Sequence, residues 1–272
     1  MPQNDRVTEV LERIERYYDA VPRRAARVEE IGPFTLFVST GGWPYYARPR
    51  LGGPNAFTAD DVTRVRQRQR ELGVPEAFEW VDETTPGLLA AARAAGLAVA
   101  ELPLQILGGD GIHAGSPPGV TVRLLGSDDR ALAAAQAVAE VGFAAGGTAI
   151  GSAGIAERDE AVVRRPDPGH RLLRDRIKQG LTVVAVAEDA TGPIGIGSHQ
   201  PVAGVTEIVG VATLPAARRR GIGAAITAAL VADARRQGVE VVFLSAGSDD
   251  VARVYERVGF QRIATACIAE PG

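Results

Sequence analysis

Cysteine is almost missing from this sequence. Cys267 is the only one, which excludes an internal disulfide and a cysteine-rich zinc site. Lysine is equally scarce: Lys178 stands alone and arginine carries nearly all the positive charge. We read that bias as a genome-composition effect. No long apolar run occurs, where a spanning helix needs about 18 residues or more. The N-terminus lacks the apolar core of a signal peptide, so a cytoplasmic protein without membrane partners is expected. A net charge of −3 gives no pull toward nucleic acid, and no basic–aromatic pattern suggests that partner. The three histidines, His113, His170 and His199, fit no metal-ligand spacing, so no metal is expected. What is present is an apolar fraction of 46% in 272 residues, enough for two ordinary domains or one large one.

The informative stretch runs from Val205 to Phe260. Val205, Glu207, Val209 and Val211 alternate with Thr206, Ile208, Gly210 and Ala212, the period of a strand. Further on, Ile222, Ala225, Ile226, Ala229 and Leu230 share one face of a helix, and Asp233 ends that stripe. Between them lies Arg218-Arg219-Arg220-Gly221-Ile222-Gly223. A strand, a basic glycine-containing turn and a helix N-terminus together suit a phosphate or pyrophosphate. The first helical N–H groups lack internal partners, and glycine lets a ligand approach the backbone. The turn is not a Walker loop, since no Gly-Lys-Ser/Thr follows. It is not a Rossmann fingerprint either, since Ile226 stands where the third glycine would be.

Arg218-x-x-Gly221-x-Gly223 resembles the (Q/R)-x-x-G-x-(G/A) signature of the GNAT N-acetyltransferases. Alone it is weak, because Arg93-x-x-Gly96-x-Ala98 also fits, at the wrong end of a helix. Its context is stronger. Glu207 sits on the preceding strand, where histone-acetylating members carry a general base. Ala252-x-x-Tyr255-Glu256-x-x-Gly259-Phe260 resembles the family's closing motif, with one residue fewer between Ala and Tyr. The resemblance implies an acyl-CoA N-acyltransferase fold, α/β with a mixed sheet, and an acetyltransferase using acetyl-CoA as co-substrate. It implies that the pyrophosphate lies on Arg218, Arg219, Arg220, Gly221, Ile222, Gly223 and Ala224. It implies that the pantetheine arm pairs with the strand at Val209, Val211, Ala212 and Thr213. Glu207 would be the base that deprotonates the amine, and Tyr255 the acid that protonates the departing thiolate. Gly210 would mark a β-bulge that splays this strand from the next. The family's asparagine–pantetheine contact falls on Asp249, or on Ser248 if the match is anchored on Tyr255. An ionised aspartate cannot donate. For Glu207 the plainer reading is a carboxylate paired with arginine or exposed on an edge, for Tyr255 a core tyrosine, and for Arg218–Arg220 a solvated turn. His199, near a strand end, is a second-choice base, and an exposed strand-end histidine is its plainer reading.

Earlier in the chain, 4–19 reads as an amphipathic helix stopped by Pro22, and 33–40 as a strand. YYARPRL reads as a further strand, followed by a helix from Asp60 to about Leu72, a strand at 77–81, a helix at 86–95 and a strand or strand pair at 97–107. Arg64, Arg66, Arg68 and Arg70 read as a solvated helix face. Residues 1–107 follow the element order of the later half and suggest a degenerate GNAT-like half. No RxxGxG stands at the helix start near Ala59–Val65, so that half is expected to bind no acetyl-CoA. GGDGIHAGSPPG gives a linker at 108–118, and 119–272 forms the catalytic domain. The small-residue stretch AAGGTAIGSAGIAERDE reads as a substrate loop or an exposed connector, without a packed element. A helix is expected around His170–Gln179, a hairpin around Ala190-Thr191-Gly192, and a buried parallel strand at VEVVFLSAG.

The expected reaction is acetyl transfer from acetyl-CoA to a primary amine by direct attack, with a small molecule favoured as acceptor. An acetyl-CoA-binding sensor without turnover, a transferase for another acyl chain or a mycothiol-type acceptor, and a nucleotide-binding module remain alternatives. The sequence leaves the oligomeric state open, a homodimer included.

Overall fold

The computed structural model describes residues 3–41, 43–109, 114–164 and 167–272. His113 and Pro166 lie outside them, as does the side chain of His170. The chain divides into two compact units, Met1–Leu104 with Arg262–Gly272, and Gln105–Gln261.

The first unit opens with helix α1 (Gln3–Arg23), which buries Leu11, Ile14, Tyr17 and Tyr18. Strands β1 (Ala26–Ile31) and β2 (Phe34–Ser39) pair antiparallel from Ile31/Phe34 outward. Gly32, at φ +56°, makes their turn. β1 carries no local signal: ARVEEI has no clean alternation, and it becomes a strand by pairing with β2. β3 (Ala47–Pro49) pairs antiparallel with β2, and β4 (Phe78–Val81) lies parallel to β3. Helix α2 (Ala59–Leu72) starts with a capping box of Thr58 and Asp61 and ends at Gly73 in the left-handed region. Its arginines are all engaged by carboxylates: Arg64 by Asp61, Arg66 and Arg70 by Glu76, and Arg68 by Glu29. Helix α3 (Leu88–Ala94) and the single long strand β5 (Leu97–Leu107) follow. The last strand, β11 (Phe260–Pro271), ends in this unit, where Ala266–Ala269 pair antiparallel with Val81–Phe78. The compact division therefore assigns 262–272 to the first unit, where the sequence reading set them in the second domain.

The second unit is a mixed sheet with helices packed on it. Strands β6 (Thr121–Leu125), β7 (Val183–Asp189), β8 (Gly192–Val202) and β9 (Val205–Thr213) form an antiparallel run. β10 (Val241–Ser245) then joins β9 in parallel. The helices are α4 (Leu132–Ala144), α5 (Ile155–Arg164), α6 (Asp167–Lys178), α7 (Ile222–Arg236) and α8 (Asp249–Glu256). Ile222, Ile226 and Leu230 of α7 are buried with Val184, Val186, Ile194 and Ile196 of β7 and β8 in one apolar core. Two glycines of β8 permit the close packing of α7. A Cβ on Gly195 would lie 2.7 Å from Ile222 Cγ2, and one on Gly197 2.7 Å from Ile226 Cγ2.

Helix α5 corrects the sequence reading, which had no packed element there. Glu157 accepts the Gly154 N–H at 2.6 Å, Ala161 is buried, and Arg158, 5% exposed, donates to the Thr191 and Pro193 carbonyls. The helix is thus fixed by its own N-terminal bond and by an arginine reaching the β7–β8 hairpin, and neither shows as apolar periodicity. Among the described residues, no helix is long and apolar enough to cross a membrane.

Candidate active site

The site begins with an irregularity in β9. Ile196 pairs with Ala212 and Ser198 with Val209, so Gly197 alone faces both Gly210 and Val211. Gly210 has φ +65°, which glycine adopts without strain. This is a β-bulge, the feature expected at Gly210. The parallel ladder between β9 and β10 runs from Val205/Val241 to Glu207/Phe243, and both strands continue past it.

A cavity of about 840 Å³ lies along the diverging strands. β9 contributes Glu207 to Thr213, and β10 contributes Leu244 and Ser245. The start of α7, the face of α8 bearing Tyr255, and residues 142–148 between α4 and α5 complete its lining. Glu207 is the one carboxylate among the described lining residues, against three arginines, Arg218, Arg219 and Arg257.

The turn into α7 is built for close approach. A 3₁₀ turn at Pro215–Ala217 leads to Arg219 at φ +66° and Gly221 at φ +81°. Gly221 is the N-cap, and no side chain caps the helix. Its first N–H groups therefore keep their donor capacity and the positive end of the helix dipole. A Cβ on Gly223 would meet only Val211 Cγ1, at 3.8 Å, so the space over this turn is open. α2 in the first unit is the opposite case: Thr58 takes the Asp61 N–H, and Asp61 adds negative charge at the same end.

Most residues singled out from sequence share this cavity: Glu207, Val209, Val211, Ala212, Thr213, Arg218, Arg219, Gly221, Ile222, Gly223, Ala224 and Tyr255. Arg220 and Asp249 are not in its lining. Arg220 lies 3.9 Å from Asp189, and Ser248 lines the cavity beside Asp249 while its hydroxyl accepts the Val251 N–H as the α8 cap. The Arg218 N–H donates to Pro215 O, and its guanidinium donates to Gly142 O, Gly146 O and Ala149 O. Ser245, not singled out from sequence, donates to Glu207 Oε1 at 3.4 Å. The Tyr255 ring stands edge-on to Phe260, centroids 5.8 Å apart. Burial pushes its phenol above the usual tyrosine value.

His199 corrects its expectation of an exposed strand end. It is fully buried, with Nδ1 3.0 Å from Thr206 Oγ1 and Nε2 3.0 Å from Asp233 Oδ2. Thr206 precedes Glu207 on β9, and Asp233 belongs to α7, so the imidazole links strand and helix. Burial lowers its pKa, although Asp233 opposes that shift. It does not line the cavity. The Asp233 carboxyl is held low despite burial by hydrogen bonds from His199, Arg236 and Gln237. Among the described residues no group of three His, Cys, Asp or Glu side chains could hold a metal ion.

Residues 155–260 match the model of the Acetyltransferase (GNAT) family. A GCN5-related N-acetyltransferase from Kribbella flavida has a similar structure, with a TM-score of 0.70 and 24% identity, covering 97% of this chain and 96% of that one. A tandem GNAT protein from the clavulanic acid biosynthesis pathway gives 0.55 and 18%, covering 88% of this chain and 78% of that one. A GCN5-related N-acetyltransferase from Sphaerobacter thermophilus gives 0.53 and 19%, covering 89% and 82%. At these identities the likeness is one of fold. No curated protein matches the chain.

Proposed function

We propose that this chain, whose residues 155–260 match the GNAT acetyltransferase model, transfers the acetyl group of acetyl-CoA to a primary amine by direct attack. One observation carries the reading: an uncapped helix N-terminus opens onto the same cavity as a bulged, diverging strand, Glu207 and Tyr255. In this reading the backbone N–H groups from Arg219 to Ala224 receive the pyrophosphate, and the arginine excess in the lining favours that polyanion. The free edge of β9 from Val209 to Thr213 pairs with the pantetheine arm and polarises the thioester carbonyl.

Glu207 takes a proton from the ammonium form of the acceptor, directly or through a water. The freed nitrogen lone pair attacks the carbonyl carbon and forms the amide C–N bond. The C–S bond breaks, its electron pair leaves on sulfur, the Tyr255 hydroxyl supplies the proton that completes the thiol, and the second proton on the amide nitrogen returns through water to the Tyr255 phenolate while Glu207 releases its own to solvent. A neutral phenol in the cavity lining can serve as that donor. Because the cavity also takes the pantetheine arm, a compact amine is favoured as acceptor. We read the first unit as a GNAT-like half without a donor site, because the capping box at the start of α2 occupies the donors that α7 leaves open.

The test is thiol release from acetyl-CoA across a panel of amines. An amine-dependent rate in the wild type that falls roughly 10²–10⁴-fold in Glu207→Gln supports the assignment. Equal rates in the two proteins would sink Glu207 as the base. Acetyl-CoA binding with no amine-dependent release would favour the sensor reading.

A further inference from the structure

We propose that Arg218 is a positioning residue that ties the donor cradle before α7 to the segment after α4, so that the two are placed as one body. The inference rests on the donor reading above. Arg218 Nη2 donates to Gly142 O at 2.7 Å, and Nη1 donates to Gly146 O at 2.8 Å and Ala149 O at 3.1 Å. The Gly142 carbonyl belongs to the last turn of α4, where a helix has no internal partner for it, and Gly146 and Ala149 lie in the segment beyond. The last turn of α4 holds no basic residue of its own. Arg218 supplies, from another element, the cation that this helix end favours.

The far end of the segment is stitched to the same turn. Gly151 N–H donates to Pro215 O at 3.2 Å, and Ala216 N–H donates to Ala153 O at 3.0 Å. Apolar burial gives the segment little support, since Phe143 is 59% exposed and Ile150 65% exposed. Its placement therefore depends on these polar ties, and Arg218 makes three of them. Gly142 also lies close against β9, where an added Cβ would come within 3.1 Å of Ala212 Cβ and 3.2 Å of Thr213 O. Phe143, Gly146, Gly147 and Thr148 line the cavity that holds Glu207 and Tyr255. A ligand that orders the turn at Arg219–Ala224 thereby orders this wall, and by linkage the wall's position alters the affinity for that ligand. The guanidinium fork is the part that spans the carbonyls, a geometry an ammonium does not reproduce.

The experiment is hydrogen exchange and calorimetry on the full chain with acetyl-CoA as the probe, comparing wild type, Arg218→Gln and Arg218→Lys. Without ligand, Arg218→Gln is expected to speed exchange in 142–149 roughly tenfold or more, leaving α7 and β9 unchanged. Acetyl-CoA should slow exchange of 142–149 in the wild type and not in Arg218→Gln, although that variant still binds it within about tenfold of wild-type affinity. Arg218→Lys keeps the charge but not the fork, and should exchange like Arg218→Gln and bind acetyl-CoA with the same weakened affinity. Unchanged exchange at 142–149 in Arg218→Gln would overturn the proposal. So would loss of acetyl-CoA binding in Arg218→Gln but not Arg218→Lys, which would make Arg218 a phosphate anchor. No binding heat in the wild type would remove the donor reading and the coupling together. Normal wild-type binding with an unresponsive segment would remove the coupling alone.

Discussion

Gly197→Ala tests whether α7 is set against the sheet by the absence of a side chain. The added Cβ would lie 2.7 Å from Ile226 Cγ2, 3.1 Å from Val211 Cγ2 and 3.3 Å from Leu230 Cδ1. Ile226 and Leu230 are fully buried, so neither can swing into solvent. Overpacking of this kind costs about 1–3 kcal/mol. Ile226→Ala alone should cost about 2–5 kcal/mol through lost burial and a cavity. In the double variant the new methyl enters space the isoleucine has vacated, so the combined cost should fall short of the sum by about 1 kcal/mol or more. Urea unfolding followed by far-UV circular dichroism gives the four stabilities. Since the start of α7 is the proposed donor cradle, Gly197→Ala should also weaken acetyl-CoA binding, and Ile226→Ala should restore part of it. Additivity within about 0.5 kcal/mol would refute the reasoning, because the sheet would then be yielding without regard to Ile226.

Three further outcomes follow from two buried polar groups and one half-buried one. His199 has a lowered folded pKa, so it binds fewer protons folded than unfolded. Its contribution to stability should be complete above the unfolded value of about 6.5 and decline as pH falls below it. His199→Gln should flatten that slope in urea titrations at stepped pH, and an unchanged slope would contradict the assignment. Arg158→Met leaves the Thr191 and Pro193 carbonyls without their donor and should cost about 1–3 kcal/mol by the same assay, where no loss would show the hairpin does not depend on it. The difference spectrum of wild type against Tyr255→Phe should titrate above pH ~10, since burial raises the phenol, and a transition at or below that value would refute a desolvated hydroxyl.

The legible parts of the fold were those with local signals. The alternation at 205–213, the apolar stripe of α7 and the Gly210 bulge could be read because each writes a period or a glycine into the chain. β1 and α5 could not, because β1 depends on its partner strand and α5 on the Gly154–Glu157 bond, the buried Ala161 and an arginine reaching a distant hairpin. The cavity shows the same limit. Gly221, Gly223, Glu207 and Tyr255 stand in a recognisable order along the chain and meet in one lining. Ser245 beside Glu207, and the burial of His199 between Thr206 and Asp233, come from strand register and helix placement that no spacing encodes. Arg218 belongs between these cases: its position in the motif was plain, while the three carbonyls it holds are 69 to 76 residues away along the chain.

The most direct test of the donor site is calorimetric titration of acetyl-CoA into the wild type and Gly223→Glu. That substitution is cleaner than one at Gly221, whose φ of +81° would strain any side chain. At Gly223 an added Cβ meets only Val211 Cγ1, at 3.8 Å, so the helix can form while a carboxylate enters the cradle. The predicted result is saturable binding to the wild type and none to a variant with the same circular dichroism. Absence of binding to a well-folded wild type, or equal binding to both proteins, would contradict a donor site at the start of α7.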